Sequence, residues 1–398
     1  VVESGKWWRF AYATGVELHE DLEAEEISRV VEFSLKFARH HQARYGIAVA
    51  NGTAALEIGL KALGIGPGDE VIVPAYTYVA SASAVLQVNA VPVFVDIEPD
   101  TYNIDPDRIE EAITDRTRAI EPVHFAGQPA DMDCVLEIAR KHNLAVIEDA
   151  AHAHGSEWRG HKVGALGDIG CFSFQASKNM TAGEGGIILT NDQRLAELCD
   201  SYLWAGRMKG RPWYEFHRLG WNYRLTEFQA AILLVQLLRL EAQNARRMEN
   251  ARYLSAQLAE IEGLAPLRWD ERVTEHSFHI LILRYDPAAF GGVPRARFTE
   301  ALVAEGIPAF TGYTFPLYAN PMFVNKEFYP KGCPLTCRYY DKDVDFQEYA
   351  EKCPVAERAC YEESIWLQHR LLLGDRSDMD DIVAAIQKVA AHCDELKD

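Results

Sequence analysis

Four short segments carry residue types that can do chemistry. The first is Phe172-Ser173-Phe174-Gln175-Ala176-Ser177-Lys178-Asn179, followed by the glycine-rich stretch from Gly183 to Gly186. A lysine held in a partly dry cleft has a lowered pKa and attacks carbonyls. Ser173 can donate to a phosphate, and the glycines let backbone pack tightly around a bound group. The plain alternative is a solvated loop lysine. The second segment is Val146-Ile147-Glu148-Asp149-Ala150-Ala151-His152. A carboxylate closing a buried strand is costly without a cationic partner. A protonated pyridine nitrogen is such a partner, and it turns its ring into an electron sink; a simple strand-end cap is the other reading. His152 can bond or stack on such a group, or serve as a satisfied core histidine. The third is Asn51-Gly52-Thr53-Ala54-Ala55. Here a strand hands over to a helix, whose free amides and dipole suit a phosphate, although an ordinary helix cap reads the same way. The fourth is Tyr76-Thr77-Tyr78, where an aromatic ring can stack on a flat ligand or pack in the core.

These segments need a frame. Short apolar runs alternate with amphipathic stretches from Tyr45 to Thr190. Strands are expected at 45–50, 70–75, 91–97, 117–125, 144–149, 170–174 and 186–189. Helices are expected at 53–63, 77–88, 106–113 (capped by Asp105), 132–142 and 193–204. This rhythm predicts an α/β fold with a mostly parallel sheet flanked by helices. Ligands of such sheets gather at the carboxyl ends of the strands, where all four segments fall. A long helical run from Thr226 to about Ile261 links a large domain, 1–250, to a smaller C-terminal α+β domain, 251–398. The second domain is expected to hold a strand at 279–284, a helix at 295–305, a loop-rich stretch from Pro316 to Asp345 and a closing helix at 379–392.

The chain has 398 residues, 48% of them hydrophobic and 25% charged, with a formal net charge of −19. Nothing basic enough for nucleic acid is visible, and no apolar run is long enough to cross a bilayer. The eight cysteines form no disulfide framework, and Cys333, Cys337, Cys353 and Cys360 lack the spacing of a zinc ribbon or finger. Reduced thiols, no metal and a cytoplasmic setting are the expectation. No G-x-G-x-x-G follows the early strands, which argues against a nicotinamide oxidoreductase.

The segments occur in the order phosphate turn, aromatic, strand-end aspartate, then lysine before a glycine-rich turn. With Gly220-Trp221-Asn222-Tyr223-Arg224-Leu225 they resemble the DegT/DnrJ/StrS family of sugar and cyclitol aminotransferases along almost the whole chain. The resemblance implies an aspartate-aminotransferase-like fold (PLP fold type I) with pyridoxal 5'-phosphate held as a Schiff base by Lys178. It implies Asp149 at the pyridine nitrogen, Gly52, Thr53, Ala54 and Ser173 at the phosphate, and Tyr78 stacked on the ring. Asn222 would reach the phosphate of a neighbouring subunit, which implies a homodimer with shared sites. His152 departs from the family's usual glutamine near the ring hydroxyl. Trp7-Trp8-Arg9 and Trp366-Leu367-Gln368-His369-Arg370 are similar to 3-amino-5-hydroxybenzoate synthases. Other segments, such as Cys353-Pro354-Val355-Ala356-Glu357-Arg358, are similar to inosose aminotransferases. The implied reaction moves an amino group from glutamate or glutamine to a keto-sugar or keto-cyclitol, with Trp8, Tyr313, Tyr318 and His369 as candidate substrate contacts. A dehydrating, aromatising enzyme and a non-catalytic cofactor-binding regulator remain as alternatives on the same fold.

Overall fold

The computed structural model describes residues 1–7 and 28–397. Trp8 and Arg9 lie outside the described residues. The chain forms strands β1 (Tyr45–Val49), β2 (Glu70–Pro74), β3 (Val91–Val95), β4 (Thr117–Ile120), β5 (Ala145–Asp149), β6 (Glu157–Trp158), β7 (His161–Lys162), β8 (Ile169–Ser173) and β9 (Gly186–Thr190). Later strands are β10 (Leu264–Pro266), β11 (Val273–Glu275), β12 (Ile280–Tyr285), β13 (Ala309–Phe310) and β14 (Ser364–Gln368). The helices used below are α1 (Arg29–His40), α2 (Gly52–Ala62), α3 (Ala80–Gln87), α4 (Pro106–Ala112), α5 (Met132–His142), α6 (Gln193–Leu203), α7 (Glu227–Leu258) and α8 (Arg295–Ala304).

Seven strands make the main sheet in the order β1-β9-β8-β5-β4-β2-β3. Only β9 runs antiparallel to its neighbours β1 and β8; the β2–β3, β2–β4, β4–β5 and β5–β8 pairs are parallel. Strands covered on both faces read as apolar runs, and β2, β8 and β9 are buried at every residue. A second, antiparallel sheet has the order β10-β12-β14-β13. The aminotransferase-type frame of a mostly parallel sheet between helices is therefore present.

Two expected elements differ in extent. The strand expected at 117–125 ends at Ile120, because Pro122 offers no amide to a ladder; the chain nevertheless stays beside β5 through a bridge from Val123 to Asp149. The helix expected from Thr77 begins at Ala80. Ser81 is the reason: its amide donates to the Tyr78 carbonyl at 3.3 Å, which folds 77–79 into a turn.

Helix α7 starts with a capping box, Thr226 with Gln229. Ala230, Leu233 and Leu240 pack with the main sheet, whereas Met248, Ala251, Leu254 and Leu258 join the core around β12 and β14. One helix thus ties two cores together. Among the described residues no helix is long and apolar enough to cross a membrane.

Candidate active site

A cavity of about 720 Å³ opens at the carboxyl ends of β1, β5 and β8, under a wall from β12 and β14. It gathers Gly52, Thr53, Ala54, Tyr78, Asp149, His152, Ser173, Lys178, Tyr313 and His369. Each arrives for a local reason. Asn51 caps α2 by accepting the Ala54 amide at 2.9 Å, which turns the first amides of the helix toward the cavity mouth. A Cβ on Gly52 would come within 2.8 Å of the Ser173 Cβ, and one on Gly186 within 2.4 Å of the Asn51 carbonyl oxygen. Glycine at both positions allows the α2 turn to lie directly on β8 and β9.

Asp149 ends β5 at 5% exposure. Its Oδ2 accepts from Ser81 Oγ at 2.8 Å and its Oδ1 from the Ala151 amide at 3.1 Å. Burial raises its pKa, opposed by those two bonds and by the charge of Lys178. Burial likewise pulls the Lys178 amine down to about 8, with Asp149 acting the other way. Lysine and aspartate therefore feel each other within one cavity, and a share of the lysine is a free amine near neutral pH.

The lysine loop is tied from two sides. His154 Nε2 donates to the Ser173 carbonyl at 2.9 Å, and His369 Nε2 to the Ser177 carbonyl at 3.0 Å. Asn179 Nδ2 donates to the Ser277 carbonyl at 2.7 Å, so its Oδ1 faces His279 Nδ1 at 3.0 Å. His152, His279 and His369 form a file of rings, with centroids 4.3 and 5.5 Å apart. Burial lowers all three, His369 to about 4. They are neutral imidazoles that exchange hydrogen bonds rather than charge.

Tyr78 is 59% exposed at the cavity edge. Tyr313 is packed edge-on against Tyr76 and Trp366, at 5.3 and 4.9 Å. Tyr318 does not reach the cavity, which corrects its expected role. It is 1% exposed, donates to Glu357 Oε1 at 2.7 Å, and packs against Phe94 and Tyr349. Asn222 is exposed and stands outside this cavity, bridged to Trp204. Sequence reasoning missed Ser81, His279 and Gln368. Ser81 gives no local signal, because only folding brings α3 under β5. His279 opens an expected strand, and an imidazole at a strand end was a usable hint.

The profile of the DegT/DnrJ/EryC1/StrS aminotransferase family matches residues 24–347. The chain belongs to this family. Two relatives come from Streptoalloteichus tenebrarius. One, assigned as an L-glutamine:3-amino-2,3-dideoxy-scyllo-inosose aminotransferase, is 45% identical over 92% of this chain and 87% of its own. The other, an L-glutamine:2-deoxy-scyllo-inosose aminotransferase, is 38% identical over 100% and 92%. The crystal structure of a 3-amino-5-hydroxybenzoic acid synthase superposes with a TM-score of 0.83 at 36% identity, covering 92% of this chain and 91% of that one. The protein is a pyridoxal-phosphate-dependent aminotransferase. Its cavity fits that cofactor in this structure. The α2 amides and Ser173 meet at a cradle that a Cβ would fill, Asp149 has lone pairs to spare, and the buried His152 Nδ1 has no partner.

Proposed function

We propose that this aminotransferase moves the amino group of glutamine onto a ring ketone of a cyclitol. One observation carries the reading: a half-buried lysine and a buried aspartate line one cavity, and the charge of each favours the charged form of the other there. Both relatives described above are named for glutamine and an inosose, and imidazoles and an amide (His152, His279, His369, Gln368) line the cavity. Hydroxyl-rich rings need such donors and acceptors more than an apolar slot.

Lys178 would hold the cofactor aldehyde, Asp149 its ring nitrogen, and Gly52, Thr53, Ala54 and Ser173 its phosphate. Tyr78 would cover the ring face and His152 its hydroxyl edge. When bound, pyridoxal phosphate supplies an electron sink for the carbon that loses its proton. The chain supplies the rest. Asp149, fixed by Ser81, keeps a negative charge at one place. Lys178 Nζ, once freed from the aldehyde, would take a proton from the donor carbon and return one to the former ketone carbon that comes to bear the amino group. The file of neutral imidazoles with Tyr313 orients the acceptor hydroxyls. Asn222 completes the phosphate site of a second copy. The exposed apolar residues Phe228, Ile232 and Val235 on α7, with Tyr214 and Leu219 also exposed, suit a homodimer.

The test is a purified-enzyme assay with glutamine and a set of keto-cyclitols and keto-sugars. Expected is one aminocyclitol formed per glutamine consumed. A dehydrated aromatic product formed with no donor consumed would instead favour the synthase-type reading that the 3-amino-5-hydroxybenzoic acid synthase likeness suggests.

A further inference from the structure

The three rings of the file are not equivalent, because the chain already uses or covers some of their nitrogens. In His369, Nε2 donates to the Ser177 carbonyl at 3.0 Å and Nδ1 is covered without a partner, so neither nitrogen is left for a ligand. In His152, Nδ1 is covered in the same way. His279 differs. It stands just before β12, lines the cavity and is 7% exposed. Its carbonyl accepts from the His369 amide at 3.1 Å, which sets the two rings side by side.

A relay of three residues decides where the His279 proton sits. The Ser277 carbonyl only accepts, so Asn179 turns Nδ2 toward it, at 2.7 Å. That leaves Asn179 Oδ1, which also only accepts, 3.0 Å from His279 Nδ1. The proton is therefore on Nδ1. Burial keeps the ring neutral, and a neutral imidazole carries a single N–H, so Nε2 holds a lone pair. Among the described residues Nε2 has no hydrogen-bond partner, and unlike the Nδ1 atoms of His152 and His369 it is not covered. The ring lines the cavity, and the lone pair is its open group there. Asn179 and Ser277 are 5% and 0% exposed, and burying such polar groups is costly unless they are bonded. A phenylalanine at 279 would fill the space without either of them, so packing alone does not explain the relay. Asn179 also follows Lys178 directly in the chain, which ties the lone pair to the lysine loop.

We propose that His279 Nε2 is a specificity-determining contact that accepts a hydrogen bond from a hydroxyl of the ring receiving the amino group, and that Asn179 is the positioning residue that fixes its tautomer. A lone pair in this place selects an acceptor that offers an O–H and gains nothing from one whose oxygen there is etherified or phosphorylated. The inference rests on the reading that a hydroxylated ring ketone is the acceptor. Two measurements test it. In ¹⁵N-histidine spectra of the holoenzyme at pH 7.5, with the His279 signals assigned by their loss in His279→Gln, wild type should show a protonated Nδ1 and a bare Nε2. Asn179→Leu should move protons onto Nε2. In stopped-flow measurements the two half-reactions are followed separately, with glutamine for the first and scyllo-inosose or 2-deoxy-scyllo-inosose for the second. His279→Leu should slow the reaction with the better ketone roughly thirtyfold and the reaction with glutamine less than about threefold. His279→Gln, whose amide oxygen also accepts, should recover part of that loss. A proton on Nε2 in wild type, or equal losses in both half-reactions, overturns the proposal. Should His279→Leu not fold, the spectra still decide. If wild type aminates neither ketone, the cyclitol reading fails, and the wild-type tautomer, which needs no substrate, decides the inference by itself.

Discussion

Glu148 and Asp149 are neighbours on β5, both buried, and they point to opposite faces of the sheet. Glu148 is saturated. Oε2 accepts from His124 Nε2 at 2.9 Å and the Gly164 amide at 2.7 Å, and Oε1 accepts from the Leu166 and Gly167 amides at 2.8 and 2.7 Å. Asp149 accepts two bonds, from Ser81 and Ala151, and faces a lysine across a cavity. A carboxylate has about four acceptor positions. The first acid has spent all of them on its own chain, where it pins the turn before β8. The second keeps half of its capacity open toward a volume that can hold a ligand. Burial does not separate these two acids; the lone pairs left open toward a cavity do.

The largest effect should come from removing what Asp149 faces. Lys178→Ala should abolish the absorbance band of the bound cofactor and lower turnover by at least about 10⁴; an active variant would refute the assignment of the lysine. The two acids should then part. Asp149→Asn keeps size and the Ser81 contact, so it should fold with a near-normal melting temperature yet lose roughly 10³ in kcat/KM. Glu148→Gln turns an amide toward backbone N–H groups and should cost roughly 3 kcal/mol in urea unfolding, with kcat per folded molecule little changed. The reverse pattern would erase the distinction.

How much of this was legible beforehand follows the same line. Asp149 and Lys178 could be read because each follows an apolar run, and the run itself says that a charged residue has been carried to a strand end. Met132–His142 matched its expected bounds because Asp131 caps it and Asn143 ends it in the left-handed region. Ser81 could not be read. Serine in a helix is ordinary by type, and only the packing of α3 against the sheet gives it a task. Tyr318 was expected at the substrate because a hydroxyl-rich acceptor needs hydrogen-bonding groups, and the loop-rich stretch gave no sign of burial. In fact Leu317, Phe323 and Phe346 fold that stretch onto Phe94 and enclose it.

A subtler effect sharpens the contrast from the lysine's side. The amine of Lys178 is held at about 8 against an ordinary 10.5, so between those values the unfolded chain binds more protons than the folded one. Stability therefore rises with pH across that window. In cofactor-free protein, Lys178→Met should be more stable than wild type at pH 7. The ratio of their unfolding constants should shrink nearly tenfold per pH unit from about 8 to about 10. A gap that does not vary with pH would mean that the lysine is hydrated and not held in a dry cavity.

The smallest effect is expected at Tyr318, whose hydroxyl meets Glu357 outside the cavity lining. This is a second polar contact of the Glu148 kind, complete within the chain. Tyr318→Phe keeps the ring against Phe94 and Tyr349 and deletes one hydrogen bond to an acid that has other access to water. The cost should be about 1 kcal/mol in urea unfolding, with KM for both substrates unchanged. A severalfold rise in KM for the amino acceptor alone would show that the stretch 316–349 moves with the substrate wall. The division between saturated structural contacts and open reactive ones would then have to be redrawn around it.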